Sequence, residues 1–138
     1  MSTETEETIT FAADEEANIL RGIVRFGDYV HQVARNKGWW DKAASRSEPE
    51  LIALMHSELS EALEEYRNQN GPEEETGWLA RQSAEGKPEG LYSEYADVVI
   101  RILDAVAVRG DLLTFARVLL QKARYNATRP YRHGGKVC

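Results

Sequence analysis

The stretch from Tyr92 to Arg109 constrains the fold of this 138-residue chain more than any other. From Val98 to Val108, nearly every side of a helix would be apolar, and such a helix belongs in a protein interior. One stripe of charged residues at helical spacing interrupts this apolar surface, and it consists of Glu94, Asp97, Arg101 and Asp104. The stretch therefore predicts a buried helix that carries a single polar stripe.

Three further helices are indicated by apolar residues at helical spacing and by residues that begin or end helices. Their predicted bounds are Asp14 to Gly38, Pro49 to Asn68 and Asp111 to Arg129. Ser47 and Glu50 form a capping-box pattern before the second helix, and Asp111 is the expected N-cap of the fourth. The predicted core face of the second helix consists of Ile52, Met55, Leu59, Ala62 and Tyr66.

These elements predict an all-α bundle of about four helices in a single domain that spans residues 13–129. Residues 71–89 form a long loop between the second and third helices, with a turn expected around Trp78 and Leu79. Residues 1–12 are expected to be a flexible acidic tail, and residues 130–138 a basic C-terminal tail. The sequence has no alternation of apolar and polar residues that would predict a strand.

Charge and composition exclude several classes of protein. A net charge of −6 and a pI near 5.1 argue against binding to nucleic acid, because phosphate contacts need a basic surface. No apolar run approaches the roughly 18 residues of a membrane span, and the acidic N-terminus is unlike a signal peptide. The one cysteine, Cys138, indicates a reducing compartment, so we expect a soluble, cytoplasmic protein without a membrane partner.

Two pairs of carboxylates, each with its members three residues apart, are the strongest chemical signal in the sequence. Glu58 and Glu61 form one pair on the second helix, and Glu94 and Asp97 form the other on the third. Such pairs on two helices can surround a hard cation with oxygen, as Mg²⁺ requires. The four residues are therefore candidate ligands of Mg²⁺ or Mn²⁺ and candidate catalytic residues. The alternative is that they form a water-facing edge.

Other metal and nucleotide motifs are not supported. A di-iron bundle needs Glu-x-x-His pairs, but neither His31 nor His56 has a glutamate three residues before it. The lysine of a P-loop opens a helix after a strand, whereas Gly134-Gly135-Lys136 lies at the end of the chain. The carboxylate pairs therefore remain the chemical feature to explain.

The two acidic pairs together resemble the signature of the MazG-like all-α nucleoside triphosphate pyrophosphohydrolases. That signature is Glu-Glu-x-x-Glu followed by Glu-x-x-Asp, and this chain has Ser57 in place of the first glutamate. Glu65, one turn further on, is a candidate replacement for that ligand. The resemblance covers most of the chain from about residue 28 and includes three longer segments. They are Gly38-Trp39-Trp40-Asp41, His56-Ser-Glu-Leu-Ser-Glu61 and Lys122-x-x-x-Asn126-x-x-Arg129-Pro-Tyr-Arg-His-Gly-Gly-Lys136.

The resemblance implies a magnesium-dependent enzyme that hydrolyses a nucleoside triphosphate to the monophosphate and pyrophosphate. In this superfamily, which includes dimeric dUTPases and dCTP pyrophosphatases, bound Mg²⁺ orients the triphosphate and polarises the water that attacks the α-phosphorus. The proteins are homodimers or tetramers, so the implied partners of this chain are its nucleotide substrate and further copies of itself. The alternative function is a non-catalytic helical bundle that binds a nucleotide or a protein.

Basic, amide and aromatic residues are the candidate substrate contacts. They are Trp39, Trp40, Lys122, Asn126, Arg129, Arg132 and Lys136. The two tryptophans stack on a base or belong to the core or to an interface. The three candidates on the fourth helix share one face, which is either solvated or in contact with substrate. The two candidates in the C-terminal tail close over the phosphates or belong to an unordered terminus.

Overall fold

The computed structural model describes residues 10–41, 46–68 and 77–130. Four α-helices make up most of this part of the chain and confirm the all-α prediction. They are α1 (Ala13–Asn36), α2 (Glu48–Arg67), α3 (Leu91–Ala107) and α4 (Leu112–Ala127). None of them is long and apolar enough to cross a membrane. Most residues of the two predicted tails, 1–9 and 131–138, lie outside the described ranges.

The helix boundaries follow local signals in the sequence. At the start of α2, the Ser47 hydroxyl accepts a hydrogen bond from the backbone N–H of Glu50, whose carboxylate accepts one from the N–H of Ser47, so the capping box is confirmed. Gly38 follows the end of α1 with φ of +79°, which is the left-handed conformation expected just after a helix. Asp111 is the N-cap residue of α4, as predicted, although its side chain forms no hydrogen bond to a backbone N–H of the helix.

A short antiparallel hairpin lies in the long loop between α2 and α3, where no strand was predicted. Its strands are β1 (Arg81–Gln82) and β2 (Pro88–Glu89), paired from Arg81 to Glu89 and from Gln82 to Pro88. Two residues are too few to show an alternation of apolar and polar side chains. Arg81 holds the hairpin to the bundle, because its guanidinium contacts Glu65 of α2 at 2.8 Å and Glu89 of β2 at 3.3 Å.

Helix α3 is the centre of the bundle and contacts each of the other three helices. Helix α1 also contacts α4, whereas α2 packs against α3 alone among the described helices. The core is thin: no large side chain of the described residues is fully buried. Its buried apolar residues are Val30, Leu51, Ala62, Leu103, Ala105, Leu112, Ala116 and Leu120.

Two predictions about burial are confirmed only in part, because the bundle leaves sides of α2 and α3 uncovered. Of the predicted core face of α2, Ala62 is only 3% exposed, but Leu59 and Tyr66 are 46% and 54% exposed. The buried residues of α2 are Leu51, Glu58 and Ala62, so one member of the acidic stripe lies on the buried face, whereas Glu61 is exposed. Helix α3 was expected to be buried apart from its polar stripe, but Val99 is 50% exposed because no described element packs over that side.

Candidate metal centre and adjoining cavity

The facing sides of α2 and α3 bring three carboxylates together. Glu58 of α2 and Glu94 and Asp97 of α3 can each offer one oxygen such that the three oxygens lie within 4.8 Å of one another. Glu58 is the most buried of the three, at 7% exposed. The structure therefore brings together three of the four predicted metal ligands, from two helices that are far apart in sequence.

The first turn of α3 is fixed by the end of the preceding loop, and this positions Glu94 and Asp97. The backbone N–H groups of Leu91 and Tyr92 donate to the carbonyl oxygens of Trp78 and Leu79, each at 2.9 Å. Gly90 allows this close approach, because its φ is +99° and a Cβ there would lie 2.9 Å from both carbonyl oxygens.

Trp78 in turn packs edge-on against Tyr66 of α2, with ring centroids 5.9 Å apart. The loop between α2 and α3 is thereby tied to α2 on one side and to the start of α3 on the other. Trp78 therefore has a structural role in this part of the fold.

Glu61 and Glu65 border the carboxylate cluster without belonging to it. Glu61 lies outside the group of three, although its negative charge contributes to raising the pKa of Glu94. Glu65, the candidate replacement for the glutamate missing at Ser57, forms a two-pronged contact with Arg81 at 2.8 and 3.0 Å. That hydrogen bond lowers the pKa of Glu65. In this structure Glu65 anchors the hairpin and is not one of the clustered carboxylates.

The cluster is short of positive charge. Burial is the main cause that raises the pKa of Glu94, and the negative charges of Glu61, Asp97 and Glu58 add to it. Burial also raises the pKa of Asp97, with the charge of Glu58 as the next cause. Crowded, partly buried carboxylates of this kind gain free energy when a cation binds among them.

Arg101 is the basic residue in direct contact with the cluster. Its Nε and Nη2 atoms each lie 2.5 Å from Oε1 of Glu58. Its charge also lowers the pKa of Asp97, as does that of Lys87 in the hairpin turn, but these two effects are smaller than those of burial and Glu58. One arginine therefore neutralises the buried glutamate and leaves the other two carboxylates under-compensated.

A cavity of about 300 Å³ opens beside Glu58 and Asp97. Its apolar wall comes from α1 and includes Val30 and Val33. Trp39, which is 61% exposed, stands at this cavity together with Arg46, whose guanidinium carbon lies 5.8 Å from the Trp39 ring centroid. The cavity thus places an aromatic ring and apolar surface next to the carboxylates.

Asp104 fastens the segment after α1 to α3. Its carboxylate accepts hydrogen bonds from Nε1 of Trp40 at 3.0 Å and from Nδ1 of His31 at 2.7 Å. Asp104 pairs with neither Arg101 nor Arg109. These arginines pair with the α2 residues Glu58 and Glu48 instead. Trp40 is therefore a part-buried anchor, while Trp39 beside it is exposed to the cavity.

The predicted substrate contacts on α4 do not reach this cavity. Among the described residues, its wall comes from α1, α2, α3 and the segment around Trp39 and Arg46, with none from α4. Lys122 lies over the ring of Tyr125 at 5.4 Å, and Asn126 is exposed. The contact prediction for Lys122, Asn126 and Arg129 therefore has no support from the geometry of one chain. The tail residues Arg132 and Lys136 lie outside the described ranges.

Sequence reasoning missed the basic residues that surround the cavity. Lys37 and Arg46 line it, and Arg101 joins them from α3. Arg101 could have been identified from the sequence, because it belongs to the same helical stripe as Glu94 and Asp97. Lys37 and Arg46 lie on either side of Trp39 in the sequence, and no periodicity connects them to the carboxylates.

The donor set fits a hard divalent cation. Three carboxylate oxygens from two helices, with open space beside them, match the preference of Mg²⁺ and Mn²⁺ for oxygen ligands and leave room for water or phosphate oxygens. Comparison of the chain with protein-family models, with curated proteins and with solved structures finds no match. The candidate site is therefore interpreted from its own geometry.

Asp97→Asn is expected to stabilise the metal-free protein near pH 7 and to have much less effect near pH 4. Folding raises the pKa of Asp97, so near this pKa the folded protein binds more protons than the unfolded chain. The free energy of unfolding therefore falls as the pH rises through the raised pKa. Asparagine does not ionise, so the variant does not lose this stability as the pH rises. Urea unfolding in the presence of a chelator at about pH 4 and about pH 7 measures both values.

The matched control is Asp28→Asn, which removes an exposed carboxylate of α1. It should change the free energy of unfolding little at either pH. Equal stabilisation by Asp97→Asn at both pH values would contradict the prediction, because charge repulsion in the cluster would then not be the cause.

Proposed function

We propose that this protein is a magnesium-dependent nucleoside triphosphate pyrophosphohydrolase. In the proposed reaction, the oxygen of water bonds to the α-phosphorus and the bond to the bridging α–β oxygen breaks, releasing a nucleoside monophosphate and pyrophosphate. The observation that carries the proposal is the cluster of Glu58, Glu94 and Asp97 beside a cavity with an exposed tryptophan. The resemblance of the acidic pairs to the MazG-like enzymes agrees with it.

Glu58, Glu94 and Asp97 would hold the cation. Once bound, Mg²⁺ supplies positive charge that screens the triphosphate and polarises a water molecule. Side chains of the protein offset the repulsion between the acidic cluster and the triphosphate. Three acidic side chains would repel a triphosphate, so basic groups close to them, such as Lys87 beside Asp97, favour its approach.

The cavity beside the carboxylates suits a nucleobase. A volume of about 300 Å³ is at the lower end of the range for small-molecule sites. Trp39 offers an exposed aromatic face, and Val30 and Val33 offer apolar surface that excludes water from a bound ring. Arg46 already stacks against both tryptophans, at 5.8 Å from Trp39 and 5.2 Å from Trp40. A planar base inserted next to Trp39 would make a contact of the same kind.

The test is an assay of pyrophosphate release from a panel of ribo- and deoxynucleoside triphosphates that includes dUTP and dCTP. We expect at least one of them to yield equimolar monophosphate and pyrophosphate, and the reaction to stop when a chelator removes Mg²⁺. Release of inorganic phosphate instead would mean attack at the γ-phosphorus and would contradict the proposed reaction.

The alternative is a non-catalytic bundle that binds a nucleotide or a protein partner. The observation that favours it is the amount of apolar surface left exposed on this small domain, including Tyr29, Tyr66 and Tyr92. Binding of a nucleotide without Mg²⁺-dependent release of pyrophosphate, for every member of the panel, would support this alternative over the enzyme.

A homo-oligomer, most simply a dimer, is also part of the proposal. An apolar groove of about 440 Å³ runs between α1, α3 and α4. Phe26, Val99 and Leu119 line it and are 47%, 50% and 47% exposed. A second copy is the occupant that we propose, because two-fold pairing lets the protruding side chains of each protomer fill the groove of the other.

Val99→Asp is therefore expected to convert an oligomer into a monomer, since it places a charge in this apolar groove. Sedimentation velocity at micromolar concentration measures the change. The control is Leu63→Asp on α2, a residue that is similarly exposed but does not line the groove. A parent protein that sediments as a monomer would rule out the oligomer, and equal dissociation by both variants would rule out this groove as its interface.

A further inference from the structure

Arg101 provides the counter-charge for the most buried carboxylate of the candidate site. The side chain of Glu58 is 9% exposed, whereas that of Arg101 is 38% exposed. Removing a carboxylate from water is costly unless an opposite charge and hydrogen bonds compensate for it. In the absence of a cation, Arg101 supplies this compensation.

The contact between these two residues is close but not the most favourable one that arginine can make. Both nitrogen atoms of Arg101, Nε and Nη2, contact the same oxygen, Oε1 of Glu58, at 2.5 Å. Arginine binds a carboxylate or a phosphate best through two parallel hydrogen bonds to two different oxygens. The pair can therefore be replaced by a partner that offers Arg101 two oxygens, provided that Glu58 gains another cation.

Arg101 also has access to the space where such a partner would lie. Its side chain lines the cavity of about 300 Å³ together with Glu58 and Asp97. The same wall therefore contains a basic group and two of the carboxylates. A divalent cation at the carboxylates and Arg101 compete as counter-charges for Glu58, because both would neutralise the same buried oxygen.

We propose that Arg101 is a phosphate-binding residue that exchanges partners. It pairs with Glu58 in the metal-free protein and contacts phosphate oxygens of the substrate when Glu58 holds a cation. This inference rests on the proposed function and adds a substrate-binding residue to it. It also explains why a site built to hold a cation has an arginine at its most buried carboxylate.

The proposal predicts two effects of opposite sign for Arg101→Gln. Removing the competing charge should strengthen Mg²⁺ binding in the absence of nucleotide, by roughly fivefold. Removing the phosphate contact should weaken binding of inorganic pyrophosphate to the Mg²⁺-saturated protein, by about tenfold. Titration calorimetry with Mg²⁺ alone, and then with inorganic pyrophosphate at saturating Mg²⁺, measures both values.

Arg109→Gln is the matched control. Arg109 also forms an ion pair with a glutamate of α2, Glu48, but it lies eight residues further along the chain, just past the end of α3, and does not line the cavity. This variant removes the same charge and the same kind of ion pair, so it should leave both affinities unchanged. Arg101→Lys is the second variant, since it keeps the charge beside Glu58 if the glutamine variant does not fold. It should bind Mg²⁺ like the parent and pyrophosphate more weakly.

Each outcome decides the question. Stronger Mg²⁺ binding with weaker pyrophosphate binding supports the exchange of partners. Weaker binding of both ligands by Arg101→Gln would show that the arginine only stabilises the fold, and unchanged pyrophosphate binding would remove the substrate contact. A parent protein that binds no Mg²⁺ would overturn the proposed function together with the role of Arg101. A parent protein that binds Mg²⁺, with unchanged pyrophosphate binding by the variant, would overturn the role of Arg101 alone.

Discussion

Glu58→Gln is expected to abolish Mg²⁺ binding and to lower kcat/KM for triphosphate hydrolysis at least a hundredfold, or about 2.7 kcal/mol. Glu58 is the only carboxylate that α2 contributes to the cluster of three in the described part of the chain. Without it, the two acids of α3 are left as a pair from a single helix, with too few oxygens to hold a cation firmly. Titration calorimetry and the pyrophosphate assay measure the two effects on the same preparation.

Glu64→Gln is the control for this experiment, because Glu64 is an exposed glutamate on the same helix that does not belong to the cluster. It should bind Mg²⁺ and release pyrophosphate like the parent. Circular dichroism should confirm that Glu58→Gln remains folded, since glutamine keeps the size of the side chain and an oxygen that accepts from Arg101. Parent-like Mg²⁺ affinity in a folded Glu58→Gln variant would refute the metal centre.

The helices could be predicted from the sequence because their boundaries depend on local chemistry. The capping box of Ser47 and Glu50 and the left-handed conformation of Gly38 are properties of a few adjacent residues. The two carboxylate pairs could be found for a similar reason, since a spacing of three residues places both members on one face of a helix. The carboxylates of α2 and α3 then approach each other through the packing of the two helices.

Burial could not be predicted in the same way, because it depends on which elements surround a helix. On α2, apolar residues such as Leu59 and acidic residues such as Glu58 lie on neighbouring stripes, and periodicity alone favoured the apolar one. Among the described helices, α2 packs against α3 alone, and Glu58 is buried at this contact with Arg101 compensating its charge. A tertiary ion pair therefore accompanies the burial of a charged residue that the sequence pattern had placed outside the core face.

The cavity could not be predicted from sequence patterns either. It combines Val30 of α1, Glu58 of α2, Asp97 of α3 and the connecting residues Trp39 and Arg46, which are separated by up to 67 positions along the chain. Motif reasoning named the carboxylates and the tryptophans but placed the basic contacts on α4. The structure provides basic groups from α3 and from the residues around Trp39 instead.

Asp104→Ala is expected to lower the free energy of unfolding by about 2–3 kcal/mol, which is a large effect for a domain of this size. The carboxylate of Asp104 accepts hydrogen bonds from both Trp40 and His31. Its side chain and that of His31 are only 15% and 16% exposed, so water replaces the lost contacts poorly. Urea unfolding followed by circular dichroism and by tryptophan fluorescence measures the loss.

An effect on nucleotide binding distinguishes the loss of the Asp104 contacts from a general loss of stability. Trp40 belongs to the segment that carries Trp39 and Arg46 to the cavity, so Asp104→Ala should also weaken nucleotide binding in the folded protein. Asp111→Ala is the control, because Asp111 is exposed and its side chain makes no capping hydrogen bond to α4. It should change stability by less than about 0.5 kcal/mol. Equal losses in the two variants would mean that the contacts of Asp104 with Trp40 and His31 contribute nothing, and that the segment after α1 is held to α3 by apolar packing alone.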